Sequence, residues 1–362
     1  MIGMLGIFGA LLLGLAADSM IGGMMAKSED DGDDAAADKT QDPDDAAGDT
    51  NLLDWLGLDQ DAEDDAADGP AAMGPVDADS LPASSDVTHA SAPDTVRNGG
   101  DGDDILVGRG GDDTLTGGGG DDQLTGQDGD DFVQGGAGDD LVHGGDGTDT
   151  LQGGTGDDLL AGEAGDDKLV GGEGTDTLFG QDGADSLYGG AAADTLVGGG
   201  GDDSLVGGDA GDWLAGGLGN DSLIGDAGSD TLDGGDGSDL LDGRESVNAF
   251  PEMDFLNGGD GDDTLMLSAG DYGSGGAGAD IFAVTDMAEG DPIAHISDYN
   301  AQEDSLVVVF DPMMHPDPQL SLETPENTQD VVVLLDGVPL AMVQGGAGLT
   351  LDDVLLTPAQ AA

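Results

Sequence analysis

The chain has 362 residues, 70 of them glycine, and its 79 acidic residues against 6 basic ones give a formal net charge of −73. Aromatic residues make up 3% and cysteine is absent. This composition cannot support an ordinary mixed core along the whole chain. It excludes nucleic acid and anionic membrane surfaces as electrostatic partners and leaves no disulfide, zinc-thiolate or thiol-nucleophile chemistry.

Met1–Ala17 (MIGMLGIFGALLLGLAA) is uncharged and apolar, at the lower length limit for crossing a bilayer. No Lys or Arg precedes it, so the basic region of a secretory signal is missing, while Gly14 and Ala16 offer a weak small-x-small cleavage pattern. Residues 1–26 are therefore expected to be an anchor in a membrane or cell surface or a cleaved signal, with an amphipathic or self-associating tail as the third reading. Lys27–Asn98 is rich in Asp and Ala, with prolines at 70, 75, 82 and 93, and reads as a disordered acidic linker. Within it, Asn51–Leu58 could form one amphipathic helical turn capped by Asn51, with Trp55 as a packing or docking residue.

A nine-residue period begins at Gly99. Gly99–Val107 reads GGDGDDILV, Gly135–His143 reads GGAGDDLVH, and sixteen such units run without a gap to Asp242. Position one is always Gly, position six always Asp, and position eight Leu in fourteen units and Val in two, Val133 and Val142. Two further units, Gly258–Met266 and Gly275–Ala283, follow interruptions at Gly243–Asn257 and Leu267–Ser274, which read as loops. A flexible linker has no reason to hold Asp and an apolar residue two apart at this strict spacing. Glycines at positions one, two and four permit the positive φ of a tight turn. The last three residues of each unit read as a short strand, position eight facing inward and positions seven and nine outward. Strand and turn in alternation give a flattened parallel coil in which two units complete one circuit.

The coil needs positive charge. Between Gly99 and Asp242 stand 35 acidic residues and two basic ones, Arg109 and Lys168, a net of 2 − 35 = −33. The donors are carboxylates and turn carbonyls, all oxygen, a set that selects a hard cation and suits Ca²⁺ better than Mg²⁺. Turns along one edge stack, so an ion can sit between unit n and unit n+2, held by turn carbonyls and position-six carboxylates. The expected ligands are Asp104, Asp113, Asp122, Asp131, Asp140, Asp149, Asp158, Asp167, Asp176, Asp185, Asp194, Asp203, Asp212, Asp221, Asp230 and Asp239, then Asp263 and Asp280 in the two later units. About fourteen complete inter-turn sites would bring roughly +28 of charge.

These residues resemble the RTX, or haemolysin-type, calcium-binding nonapeptide repeat GGxGxDxUx, in which U is a large apolar residue. The resemblance covers residues 99–283. It implies an all-β, right-handed parallel β-roll (a β-solenoid) binding multiple Ca²⁺ ions, in a protein exported by the type I secretion apparatus. Departures are local: Arg109, Gln127, Glu163, Gln181 and Asp226 replace the second glycine, and Ala192 and Ala210 the fourth, so the sites they line are expected to be weaker.

After Ala283 glycine becomes sparse and β-branched residues rise. Ser305–Phe310, Val331–Leu335 and Val338–Val343 read as strands, with Asp336-Gly337 as a hairpin turn and Pro339 suggesting an edge strand. Residues 284–362 are thus expected to form a β-rich cap and, by position in such proteins, to carry the type I secretion signal.

No H-E-x-x-H, G-x-S-x-G or G-x-x-x-x-G-K-[ST] pattern occurs, and the four histidines, His89, His143, His295 and His315, read as solvated, surface or cap residues. The expectation is a non-enzymatic, extracellular or cell-surface calcium-binding β-roll with no nucleic-acid partner. The alternative is a membrane-anchored surface adhesin or matrix scaffold with the roll as a calcium-stiffened spacer, attached through residues 1–17.

Overall fold

A computed structural model describes residues 93–244, 252–285 and 287–359. The apolar segment 1–17, the linker as far as Ala92, the Asn51–Leu58 turn, Trp55 and His89 lie outside these residues. The described chain is almost entirely strand, with one short 3-10 turn at Leu351–Asp353. As far as Ser305–Phe310, successive strands alternate between two sheets, one of 13 strands and one of 14, so the chain winds as a parallel β-solenoid.

The winding follows from the repeat. Two units make a circuit, so each residue pairs with the one eighteen further on: Leu178 with Leu196 and Leu196 with Leu214 in the 14-stranded sheet, Leu187 with Leu205 in the 13-stranded one. Because the strand period is two, in-register stacking sends every position-eight side chain inward. Leu115, Val133, Leu178, Leu214 and Leu241 are all completely buried and belong to one continuous core. Leu106, in the first circuit with no neighbour below it, is only partly buried.

The strands are longer than the three residues expected. Lys168–Glu173 and its equivalents span six residues, because the glycines of the next unit continue the ladder: Gly172 pairs with Gly154 and Gly190 with Gly208. The turn proper is confined to positions four to six. There Gly138 N donates to Thr155 O of the next circuit and Leu141 N to Asp122 O of the previous one, both at 2.9 Å. The coil also starts earlier than the linker boundary at Asn98. Its first strand is Val96–Asp101, and Thr95 seals it through N–H and Oγ1 bonds to Asp113 Oδ1 of 2.5 and 2.7 Å.

The two interruptions are not departures from the coil. Each delivers a strand, Phe255–Asp260 and Tyr272–Ala277, which pair with each other and with the circuits on either side. The step between equivalent aspartates changes from 18 residues to 24 across the first interruption (Asp230 to Asp254) and then to 17 across the second (Asp254 to Asp271). Gly273 stands at the inward position of the second, and Leu267 and Leu265 lie against it, filling the space its missing side chain leaves.

Beyond Ala283 both sheets continue without a break. Ser305–Phe310 and Val354–Pro358 extend the 13-stranded sheet in parallel, while Leu320–Glu323, Val331–Leu335 and Val338–Val343 finish the other as an antiparallel meander. Phe310, Val331, Leu340 and Leu349 join the same core and close its end. Asp336 (φ 52) and Gly337 (φ 83) form the hairpin turn. The Pro339 strand is interior, not an edge: it lies between Ala294–Ile296 and Val331–Leu335. Proline is tolerated because Ala294–Ile296 is only three residues long and pairs with Ala341–Val343, leaving Pro339 beyond its end.

Candidate metal centre

The position-six aspartates form two rows, one on each edge of the coil. Asp113, Asp131, Asp149, Asp167, Asp185, Asp203, Asp221, Asp239, Asp263 and Asp280 precede strands of the 13-stranded sheet; Asp104, Asp122, Asp140, Asp158, Asp176, Asp194, Asp212 and Asp230 precede strands of the other. Within a row the carboxylates interlock. Beyond the first member of each row, Asp104 and Asp113, Oδ1 accepts the main-chain N–H of the aspartate one circuit earlier, as in Asp140 N to Asp158 Oδ1 and Asp158 N to Asp176 Oδ1, both 2.8 Å. All but Asp104, which begins its row, are 3% exposed or less.

The other oxygen is the informative one. In sixteen of the eighteen, all but Asp104 and Asp280, Oδ2 is buried with no hydrogen-bond partner among the described residues. Burying a charged oxygen unpaired is costly, and a native structure explains such a group by a ligand, an ion or a proton. The surroundings supply more oxygen, not hydrogen-bond donors. At Gly117 the position a β-carbon would occupy lies against Asp122 Oδ2 and 2.7 Å from the carbonyl oxygen of Gly135 in the next circuit; Gly126, Gly171 and Gly198 repeat this arrangement. Position one is therefore glycine because oxygen atoms from two successive circuits fill the space of its side chain.

Electrostatics point the same way. Burial, reinforced by neighbouring ladder carboxylates and only partly offset by the main-chain hydrogen bond, pushes Asp149, Asp158, Asp167, Asp194, Asp203 and Asp212 up to about 7. Burial is the largest cause again where Asp131, Asp140, Asp221, Asp230 and Asp263 rise to about 6 and where Asp176, Asp185, Asp239 and Asp280 rise. The added repulsion at Asp176, Asp185 and Asp239 comes from carboxylates outside the ladder such as Asp157, Asp166 and Asp233. Among the described residues no Lys or Arg side chain forms an ion pair with a position-six aspartate. The donor set fits a hard cation, with one carboxylate oxygen and a position-one carbonyl at each step. Among the described residues no three His, Asp or Glu side chains gather into a cluster, so main-chain carbonyls would have to complete each ligand set.

A comparison with family models matches the RTX calcium-binding nonapeptide repeat in overlapping segments from residue 98 to 241 and again at 254–273. Residues 98–273 are RTX calcium-binding nonapeptide repeats. No curated protein matches the chain. Among solved structures, the extracellular lipase LipA from Serratia marcescens is similar at 19% identity with a TM-score of 0.16; the match covers 68% of this chain and 38% of the lipase.

The irregular RTX units keep the regular turn. Arg109, Gln127, Glu163, Gln181 and Asp226 adopt φ of 71 to 114 at position two, and Ala192 and Ala210 adopt 78 and 82 at position four. Asp194 and Asp212, in the two alanine units, are as buried as the rest. Two ladder members escaped the repeat spacing. Asp254 (1% exposed) and Asp271 (0%) continue the second row, Asp254 Oδ1 accepting from Asp230 N at 2.8 Å and Asp271 Oδ1 from Asp254 N at 3.1 Å. The signal for Asp254 is present, an Asp two residues before an inward Leu256, but the inserted residues before it displace it from the period. Asp271 differs chemically, since its Oδ2 accepts Ser268 N at 2.6 Å and both its oxygens are engaged.

His143 is not solvated. It is 2% exposed, its Nδ1 lies 3.1 Å from Glu163 Oε1, and its cross-strand neighbour is the small Ala161. The position-two substitution at Glu163 supplies this partner. His295 lies in a strand stacked on Tyr272, and His315 Nδ1 bonds Asp336 at 2.7 Å.

Proposed function

We propose that the protein is a secreted, non-catalytic calcium-binding β-roll whose folding is driven by the ion. The observation that carries this reading is the run of buried, unpartnered Oδ2 atoms along both edges of the coil. At neutral pH these rows oppose the fold until a cation enters, and a ligand that binds only the folded form stabilises it by mass action, site after site. The position-six carboxylates and the position-one carbonyls of adjacent circuits would hold the ions, which supply the positive charge the rows lack. Where free Ca²⁺ is scarce the repeat remains an expanded polyanion suited to passage through an export channel; at millimolar Ca²⁺ outside the cell it folds. This logic supports extracellular action and export by a type I apparatus, as the RTX repeat implies. The absence of protease, lipase and nucleotide-binding motifs from the sequence supports a non-enzymatic role.

Far-UV circular dichroism of the full chain during a Ca²⁺ titration, with Mg²⁺ as control, tests the reading. A cooperative rise of β-structure with Ca²⁺ alone is expected; a spectrum indifferent to millimolar Ca²⁺ removes it. The apolar Met1–Ala17 supports a second form, retained at the cell surface as a scaffold. Cell fractionation separates the two, with membrane retention lost on deleting residues 1–17 favouring the scaffold.

A further inference from the structure

The outer face of the 14-stranded sheet carries an aromatic row that the metal ladder does not use. In register along it stand Trp213, Thr231, Phe255, Tyr272 and His295. The rings of Phe255 and Tyr272 stack at 5.3 Å with an interplanar angle of 17°, and those of Tyr272 and His295 at 4.6 Å and 7°. These spacings match the distance between neighbouring strands, so the ring planes lie across the coil axis and only their edges meet solvent. Inside the stack each ring face is covered by the next ring. On its other side Phe255 faces the position of Thr231, whose side chain is too short to cover it.

Thr231 is exposed, Phe255 is 48% exposed, and the next ring along the row, the half-buried Trp213, is two strands from Phe255. Two strand spacings amount to about 9.6 Å. A flat ring in van der Waals contact with both aromatics would fill only ~7–8 Å. A saturated six-membered ring, thickened by the atoms above and below its mean plane, suits the wider gap.

Polar groups flank the same place. Asp233 and Asn257 share the outer face one position along from Thr231 and Phe255, and Asn257 Nδ2 donates to Asp233 Oδ1 at 2.7 Å. That bond holds both side chains over the sheet, with Asp233 Oδ2 and the Asn257 carbonyl oxygen placed to accept hydroxyl protons. An apolar ring face beside hydroxyl acceptors is the chemistry of a sugar, and the net charge of −73 disfavours an acidic one. We propose that the gap over Thr231, between Trp213 and Phe255 and beside Asp233, binds a pyranose ring of a neutral polysaccharide. The site requires the folded, calcium-loaded coil, which circular dichroism of the same sample reports separately.

Isothermal titration calorimetry of the full chain in millimolar Ca²⁺, with cellohexaose, chitohexaose, laminarihexaose and an alginate oligomer as probes, tests it. Saturable binding of at least one neutral hexasaccharide and none of alginate is expected. Phe255→Ala and Asp233→Asn each weaken it roughly tenfold, and Tyr188→Ala, an exposed aromatic on the other sheet, leaves it unchanged. Should Phe255→Ala fail to fold, Thr231→Phe fills the gap with a ring at an exposed position and abolishes binding. The proposal is overturned if the folded protein gives no saturable heat with any neutral probe, if alginate binds as well as they do, or if binding survives Thr231→Phe.

Discussion

Asp158 accepts the main-chain N–H of Asp140, one circuit earlier, through Oδ1 at 2.8 Å, and keeps Oδ2 buried without a hydrogen-bond donor. One carboxylate thus performs two tasks, bonding a circuit to the preceding one and presenting a buried oxygen to whatever cation the coil holds. The same pairing repeats along both edges of the coil.

Removing two stacked members should open the coil locally. In Asp158→Ala with Asp176→Ala, two hydrogen bonds between circuits, from Asp140 N and from Asp158 N, disappear along with two carboxylates. Native mass spectrometry is expected to show fewer bound Ca²⁺ ions, and circular dichroism a higher Ca²⁺ midpoint. Unchanged calcium stoichiometry would count against the ladder as the metal site.

The metal-free coil should prefer acid. Burial holds Asp158, Asp167 and Asp203 at about 7 in the folded chain, well above the ordinary carboxylate range. A carboxyl raised on folding favours the fold when protonated, so its contribution is fully present below the unfolded value near ~4 and is lost as pH rises through the folded value. Without Ca²⁺, β-structure should therefore appear on acidification from pH ~7 towards ~4. Ca²⁺ requires the ionised carboxylates, so its midpoint should shift upward over the same interval. A metal-free spectrum that does not change across this range refutes the account.

Glycine at position one should be intolerant for a reason distinct from turn geometry. A methyl at Gly153 would collide with the Asp158 carboxylate, whereas one at Gly119 meets nothing closer than 3.8 Å. Gly153→Ala is expected to cost about 1–3 kcal/mol in the Ca²⁺-loaded form and to reduce bound calcium. Gly119→Ala should stay within about 0.5 kcal/mol of the parent. Thermal melts in excess Ca²⁺ compare them, and equal effects would deny the oxygen-lined cradle.

Ala210 offers the opposite change. Its φ of 82 is one that L-residues resist, so Ala210→Gly should stabilise the loaded coil by about 1 kcal/mol. Ala192→Gly, at φ 78, should do the same. A lower melting temperature for both would show that the alanine methyls make compensating contacts.

Much of the fold was legible because the coil is built from local, strictly periodic instructions. Asp at position six and Leu at position eight, two apart and therefore on one face, recur at a spacing that can stack only in parallel. The alternation of sheets, the buried leucines and the eighteen aspartates follow from it. The interruptions were misread for the same reason. Once the step to Asp254 becomes 24 residues and the step to Asp271 becomes 17, the linear period breaks although the pairing of strands does not.

The sequence by itself determined the repeat, the parallel coil, the inward row and the kind of cation its oxygens would select, because each depends on residues within one or two units. Only the tertiary structure decided which carboxylate oxygen is bonded and which is left, that Asp254 and Asp271 continue a row, and that His143 is buried against Glu163. It also brought Trp213, Phe255, Tyr272 and His295 into one line. Those outcomes depend on the register between circuits, which is set by main-chain pairing across 17, 18 or 24 residues.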